Sequence, residues 1–306
     1  MRAVQHRTFG DPADALEVVD VDEPHAGPGA VRVVVGAAGV NPVDWKAVRG
    51  AMAGASPGDP VPGGARTPGM DVAGVVDEVG DGVGDVAVGD RVVGWAASGA
   101  LAEHAVLEDF ARLPEAVATE QAATLPVPGE TALRVLELLD VGEGQTLLVD
   151  GGSGAVGIAT TQIALSRGLT VVATASEANQ DFLRQLGAVP TTYGEGLVER
   201  VRALAPEGVD AALDAAGKGS ARDLVELVGD PGRVVTIADF SAGDLGVVVS
   251  TGDDQRARRL REVVDLAAQG VVLVPVARTY PLEDAVAAYE ESAGGHVRGK
   301  LLVTPR

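Results

Sequence analysis

The stretch TLLVDGGSGAVGIATTQIALSRG, residues 146–168, runs from an apolar strand-like segment through a glycine-rich turn into a segment with helical apolar spacing. Within it, GSGAVG at 152–157 matches the pattern G-x-G-x-x-G. In a chain with 41 glycines the pattern alone proves little, because chance supplies about 0.7 such matches. The setting decides, since a strand, a tight turn and the start of a helix are what binding of a dinucleotide requires. Gly152 is expected to permit the turn, Gly154 to let the backbone approach a pyrophosphate, and Gly157 to let the helix pack on the sheet. The N–H groups and positive dipole end of that helix would then hold the phosphates.

Outward from this turn, strand and helix patterns alternate. TLLVDG (146–151), LTVVATAS (169–176), VDAALDAAG (209–217) and GRVVTIADF (232–240) read as strands, with a shorter one near Thr191–Tyr193. GIATTQIALSRG and QDFLRQLGA between them have helical period. Such alternation specifies a parallel sheet covered by helices on both faces. The residue closing the second strand selects the cofactor, because a carboxylate there takes ribose hydroxyls and repels a 2′-phosphate. Here Ser176 closes it and Asn179 follows in the next turn, which predicts NADPH over NADH. Glu177 is discordant, since its carboxylate weakens a 2′-phosphate unless it points away.

This pattern begins at Thr119, where TEQAATLPVPGETALRVLELLDV has helical spacing interrupted at LPVPG. Before it the chain is rich in short valine runs punctuated by Gly and Pro, such as 31–40, 72–80 and 90–97, which read as strands and turns. Residues 53–68 read as a loop, either flanking a substrate entrance or simply a surface excursion. After about residue 251 the predicted order is a helix from RARRLREVVDLAAQG, a strand VLVPVA, a helix YPLEDAVAAYEESAGG and a final strand KLLVTP. The expected domains are therefore 1–118 with 262–306, and 119–261.

Bulk composition narrows the function. A formal charge of −20 argues against a nucleic-acid partner, and the basic run at 256–262 reads as a solvated helix face. No apolar run reaches the length of a membrane span, and the N-terminus lacks a signal-like apolar stretch, so a cytoplasmic protein without a membrane partner is expected. With no cysteine, every thiolate metal site and every disulfide is excluded.

GVNPVDWKAVRG (39–50), PGMDVAGVVDEVG (68–80), VGDRVVGW (88–95), LAEHAVL (101–107), AATLPVPGETA (122–132), GGSGAVG (151–157), LGA (186–188) and GHVRGKLLV (295–303) occur in order. That ordered set resembles the medium-chain dehydrogenase/reductase superfamily, in its zinc-independent quinone oxidoreductase (zeta-crystallin-like) branch. The resemblance implies an α/β protein: a GroES-like β-rich catalytic domain, a Rossmann doubly wound parallel sheet, and an active cleft between the two. It implies no zinc, because Asn41 and Met70–Asp71 stand where zinc-dependent relatives carry Cys and a His-Glu pair. Without a Lewis acid the hydride acceptor should be electrophilic already, a quinone or an enone. Lys46 is the candidate proton donor or carbonyl anchor, with pairing to Asp44 or Asp71 as the open alternative. Asn41 is expected beside the nicotinamide, bonded to cofactor or substrate, with a turn role before Pro42 as its alternative. Trp45 and Trp95 either wall a pocket or pack under the strands.

On the cofactor side the resemblance carries Thr131, Ser153, Ala155, Val156 and Tyr193 into phosphate or ribose contact, and Gly217, Ile237 and Ala238 towards the nicotinamide ring. His296 and Lys300 belong to its closing signature. LGVVVS (245–250) would be the last strand of the second sheet, an apolar edge suited to a homodimer. Two other readings stand beside this one. One is a protein that binds NADPH without turnover. The other is an α/β-hydrolase using Ser153, Asp214 and His296, opposed by Ala155 where its serine turn wants a glycine.

Overall fold

In the computed structural model, which describes residues 1–305, the chain divides into two compact units. The first comprises Met1–Val127, Leu260–Ala268 and Val274–Arg306, and the second Pro128–Arg259 and Gln269–Leu273. In chain order the strands are β1 (Arg2–Gln5), β2 (Glu17–Asp20), β3 (Val31–Val40), β4 (Asp71–Val79), β5 (Arg91–Ala96), β6 (His104–Arg112), β7 (Thr146–Asp150), β8 (Thr170–Ala175), β9 (Val189–Thr192), β10 (Ala211–Asp214), β11 (Val234–Thr236), β12 (Val248–Val249), β13 (Val276–Pro281) and β14 (Lys300–Thr304).

The first unit is built on a six-stranded sheet of order β13-β14-β3-β4-β5-β6, with a further pairing of β3 to β6 that closes β3 through β6 on themselves. Only β13 and β14 run parallel; the remaining neighbours are antiparallel. The valine runs supply its core: Val31, Val33 and Val35 alternate inward along β3 and meet Val72, Val76, Val92 and Leu107. The expected strand VLVPVA lies further along the chain, at Val276–Pro281, as β13. Val272 and Val274 are buried without joining the ladder, and Pro275 has no N–H to donate to one. Residues 53–68 hold turns and isolated bridges but no helix or strand.

The second unit has an all-parallel sheet of order β12-β11-β10-β7-β8-β9. Numbered within the unit this is 6-5-4-1-2-3, the doubly wound order, which reverses between β7 and β10. Its central strands are buried along nearly their whole length, as both-face coverage demands. LPVPG does not interrupt the helix Pro126–Leu139 but opens it. Prolines are tolerated in a first turn, where N–H groups have no intrahelical partner. The apolar edge segment pairs over only Val248–Val249. Among the described residues no helix is long and apolar enough to cross a membrane.

Candidate functional site

The residues singled out from sequence fall mainly into two polar groups, one in each unit. In the second unit the turn after β7 lies where the strand order reverses, at the carboxyl ends of the strands. The left-handed backbone there belongs to Gly151 (φ 93°), one residue before the glycine expected to permit the turn. Gly152 is a packing glycine instead: a Cβ on it would stand 2.8 Å from that of Ala173. Gly157 is confined more tightly, a Cβ there meeting the Gly151 carbonyl oxygen at 2.2 Å, so the helix Ala155–Ser166 sits hard against the turn. Gly154 differs from both. It is the N-cap of that helix, no side chain caps it, and a Cβ on it would touch only the Gly151 oxygen at 3.5 Å. No steric demand inside the protein calls for a glycine at 154. The first N–H groups of the helix, at Ala155, Val156 and Gly157, have no intrahelical acceptor.

Beside this helix start the structure brings Ser153, Ser176 and Asn179 together: Asn179 Nδ2 donates to Ser176 Oγ at 3.2 Å and to Ser153 Oγ at 3.5 Å. Glu177 is exposed. Gly217 (φ 60°) and Ala238 are in contact at the ends of β10 and β11, a Cβ on Gly217 meeting that of Ala238 at 2.8 Å, and the Ile237 N–H donates to the Asp214 carbonyl. Tyr193, just past β9, is 54% exposed, and Arg200 donates to the carbonyls of residues 192–195 around it. Thr131 is buried and accepts from Arg134 Nη2 at 3.3 Å, so its recorded bond serves the Glu130–Arg134 ion pair rather than the turn.

Sequence reasoning missed the residues that brace the turn. Asp150 accepts from Thr174 Oγ1 and, at 2.5 Å, from Ser220 Oγ. Burial pushes its carboxyl upwards against those two hydrogen bonds. The Gly151 and Gly152 N–H groups donate to the side chain and carbonyl of Thr174. Gln180 spends its amide on the carbonyls of Ala175, Ser176 and Thr191, which ties the end of β8 to β9. A polar Asp ending the apolar run TLLVD was the available signal; Gln180 gave none. Asp214, which the hydrolase reading needs as its acid, has both oxygens committed, one to the N–H groups of Ala216 and Gly217 and the other to Thr236 Oγ1.

In the first unit Asn41 ends β3 and caps the helix Pro42–Val48, whose Asp44 accepts the Asn41 N–H at 2.7 Å. Asn41 therefore does hold a turn role. Its side chain does more, because Asn41 Nδ2 donates to Asp71 Oδ2 at 3.0 Å and Asn41 Oδ1 accepts from Lys300 Nζ. Lys300 Nζ also donates to Asp71 Oδ2 at 2.8 Å, and Asp71 Oδ1 takes the Val127 N–H at 3.1 Å. All of these side chains are buried, Lys300 being 2% exposed. Burial, then the neighbouring Asp71 carboxylate, pushes Asp44 up to about 7 against the Asn41 hydrogen bond and the Lys300 charge. Gly39 admits the arrangement: a Cβ there would lie 2.4 Å from the Ala123 oxygen and 2.8 Å from Lys300 Cε.

The alternative that pairs Lys46 with Asp44 or Asp71 is not what forms, because Lys300 is the cation that Asp71 receives. Lys46 is part-buried, lies 5.7 Å from the centre of the Trp45 ring, and makes no ion pair among the described residues. Trp45 donates to Ser292 and packs against the core, while Trp95 is buried in β5. His296 is exposed.

A closed β-rich unit and a doubly wound nucleotide-type unit with a bare helix start define a two-part dehydrogenase/reductase. Residues 27–115 match the family described as alcohol dehydrogenase GroES-like domain, and 186–303 that described as zinc-binding dehydrogenase. The rat quinone oxidoreductase is 32% identical, covering 98% of this chain and 96% of its own. The structure of Escherichia coli quinone oxidoreductase complexed with NADPH superposes with a TM-score of 0.88 at 25% identity over the whole of both chains. One named NAD-dependent alcohol dehydrogenase does so at 0.87 and 28%, again over the whole of both. The chain belongs to the medium-chain dehydrogenase/reductase superfamily, in its quinone oxidoreductase branch.

Proposed function

We propose that the chain is an NADPH-dependent oxidoreductase that reduces a quinone or an α,β-unsaturated carbonyl compound without zinc. The observation that carries this is the helix start at Gly154, uncapped and with room at its Cα, beside a cluster of neutral donors. The N–H groups of Ala155, Val156 and Gly157 would hold the diphosphate, and Ser153, Ser176 and Asn179 the 2′-phosphate. Thr131, Tyr193, Gly217, Ile237 and Ala238 would complete the nucleotide contacts. The bound nucleotide supplies the reducing equivalents; the chain binds it, orients it and delivers a proton. The relatives named quinone oxidoreductase, one of them complexed with NADPH, support the same reading.

The description of the matching family raises zinc, and the residues do not fit it. The chain has no cysteine, and Asn41 and Asp71 are already satisfied by the Lys300 ammonium. The acceptor must then be polarised by conjugation of its own. Lys46, partly exposed and without a carboxylate partner, would donate the proton or anchor the carbonyl. Lys46→Ala should lower turnover with every active acceptor, and unaltered turnover removes that role. The apolar edge strand β12 supports a two-fold homodimer, which light scattering at micromolar concentration checks. The deciding experiment titrates NADPH against NADH and then screens quinones and enones by loss of nicotinamide absorbance. Tight NADPH binding without oxidation across that panel would replace the enzyme reading with a non-catalytic one.

A further inference from the structure

The geometry points to Arg200 as the positioning residue that gathers the carbonyls of residues 192–195 onto its guanidinium and so fixes Tyr193 as an aromatic surface for the adenosine end of the nucleotide. This role rests on the nucleotide-binding part of the reading above. Arg200 Nη1 donates to the Glu195 carbonyl at 2.6 Å, and Nη2 to that of Thr192 at 2.9 Å, with those of Tyr193 and Gly194 at 3.4 Å. Four consecutive carbonyls turned towards one place need several donors there, and a planar charged fork supplies them together. Gly194 (φ 85°) and Gly196 (φ 73°) give the chain the left-handed backbone that this curl requires. A Cβ on Gly196 would stand 2.9 Å from Arg200 Nη1, so the missing side chain also makes room for the guanidinium. Arg200 does not drift with the loop, because the helix that carries it, Leu197–Leu204, buries Leu197 and Val201 with Leu148 and Val172 of the parallel sheet.

Stability alone gives no reason for this arrangement. Arg200 forms no ion pair among the described residues, and its Nε–H is buried without a partner, which costs free energy. Residues 193–196 are exposed, so water would otherwise serve their carbonyls. What the clamp secures is the path of the backbone beneath Tyr193, whose side chain stands more than half exposed. Exposed loops are usually held loosely, and this one is held at both ends. On its other side the Thr191 carbonyl takes Gln180 Nε2 at 3.0 Å, and the same amide reaches the Ser176 carbonyl at 3.2 Å. Thr192 is the register partner of Ala175, one strand spacing of about 4.8 Å away. Tyr193 therefore follows beside Ser176, which with Ser153 and Asn179 makes the cluster proposed for the 2′-phosphate. A phosphate held there brings its adenosine with it, and a fixed aromatic face one strand further out offers that end a stacking surface. All of these residues belong to the second unit.

The test is a double-mutant cycle over Arg200→Met and Tyr193→Ala, read by isothermal titration calorimetry with adenosine 2′,5′-bisphosphate. Each single variant should weaken that ligand about tenfold. The double variant should bind within about twofold of Tyr193→Ala alone, because Arg200 acts through that ring. Arg200→Lys keeps the charge but not the planar fork, and should still bind about fivefold more weakly than wild type. Nicotinamide mononucleotide, which lacks the adenosine, should bind every variant within about twofold of wild type, whereas a general loosening of the unit would weaken it too. Additive losses in the cycle, full recovery by Arg200→Lys, unchanged affinity in Arg200→Met, or an equal loss with nicotinamide mononucleotide would overturn the role. If Arg200→Met shows no cooperative thermal transition, the cycle run with Arg200→Lys decides between coupling and additivity. A wild-type chain that binds neither NADPH nor the bisphosphate would instead remove the proposed function, and this role with it.

Discussion

The two polar centres of the molecule are made by opposite means. The turn after β7 is built of backbone: four glycines, an uncapped helix start and a cluster of neutral hydroxyl and amide groups. The centre around Asn41 is built of side chains, with an ammonium and two carboxylates sealed from water. The backbone site carries little charge and has no space for an added atom at Gly152 or Gly157. A buried ionic site tolerates no lost partner, because each charge it holds was stabilised by water before folding.

The largest expected effect exploits that second dependence. Lys300→Met alone strands Asp71 and should cost about 3–5 kcal/mol in urea unfolding, much of it recovered by adding Asp71→Asn. Asp44 gives the next effect. Its folded value of about 7 stands above the unfolded carboxyl near 3.9, so the native state binds the extra proton. Its burden on stability is absent below about pH 4, grows as pH rises from about 4 to 7, and is complete above that. Asp44→Asn, whose amide oxygen still accepts the Asn41 N–H, should therefore flatten a slope on the order of 1 kcal/mol per pH unit in that window. Asp150 contributes in the same direction in both proteins, so the difference isolates Asp44.

Glycine exchanges separate steric from ligand demands in the other centre. Gly157→Ala should lower stability by about 1–3 kcal/mol and abolish nucleotide binding, since its Cβ collides with the Gly151 carbonyl. Gly154→Ala should leave stability within about 0.5 kcal/mol while weakening nucleotide roughly tenfold. Equal losses of stability in the two would end the argument that position 154 is reserved for a ligand. The smallest effect belongs to Glu177→Gln, which should favour NADPH over NADH by about twofold to threefold at low salt, as removal of an exposed charge does. No change in the NADPH-to-NADH affinity ratio would place that carboxylate away from the 2′-phosphate.

The contrast also explains what could be read from sequence. The doubly wound sheet was legible because a parallel sheet needs continuous apolar strands and its turn needs glycines, both of which are local signals. Ser176 and Asn179 could be singled out because the end of the second strand faces the turn in every such fold, whereas Ser153, which meets Asn179 there, came from the resemblance alone. The network in the first unit unites residues 41, 71 and 300, and no local pattern links a lysine to partners more than two hundred positions away. Lys46 is singled out by its motif, with Asp44 or Asp71 as an alternative partner, and the ammonium that Asp71 receives belongs instead to Lys300 of the closing signature. The displaced strand β13 failed for a related reason: apolar burial and ladder pairing usually coincide, and at 272–275 they do not.

The strand that delivers Lys300 follows every strand of the second sheet in chain order. Every strand of the second sheet lies before residue 250, so that unit's sheet can assemble while translation continues. The first sheet has to wait for β14 to arrive beside β3, and until it does Asp71 is a carboxylate without its cation. A nascent chain stalled before residue 300 would hold a finished parallel sheet and a closed β3 through β6, but would lack the strand that joins β3 to β13 and brings Asp71 its cation.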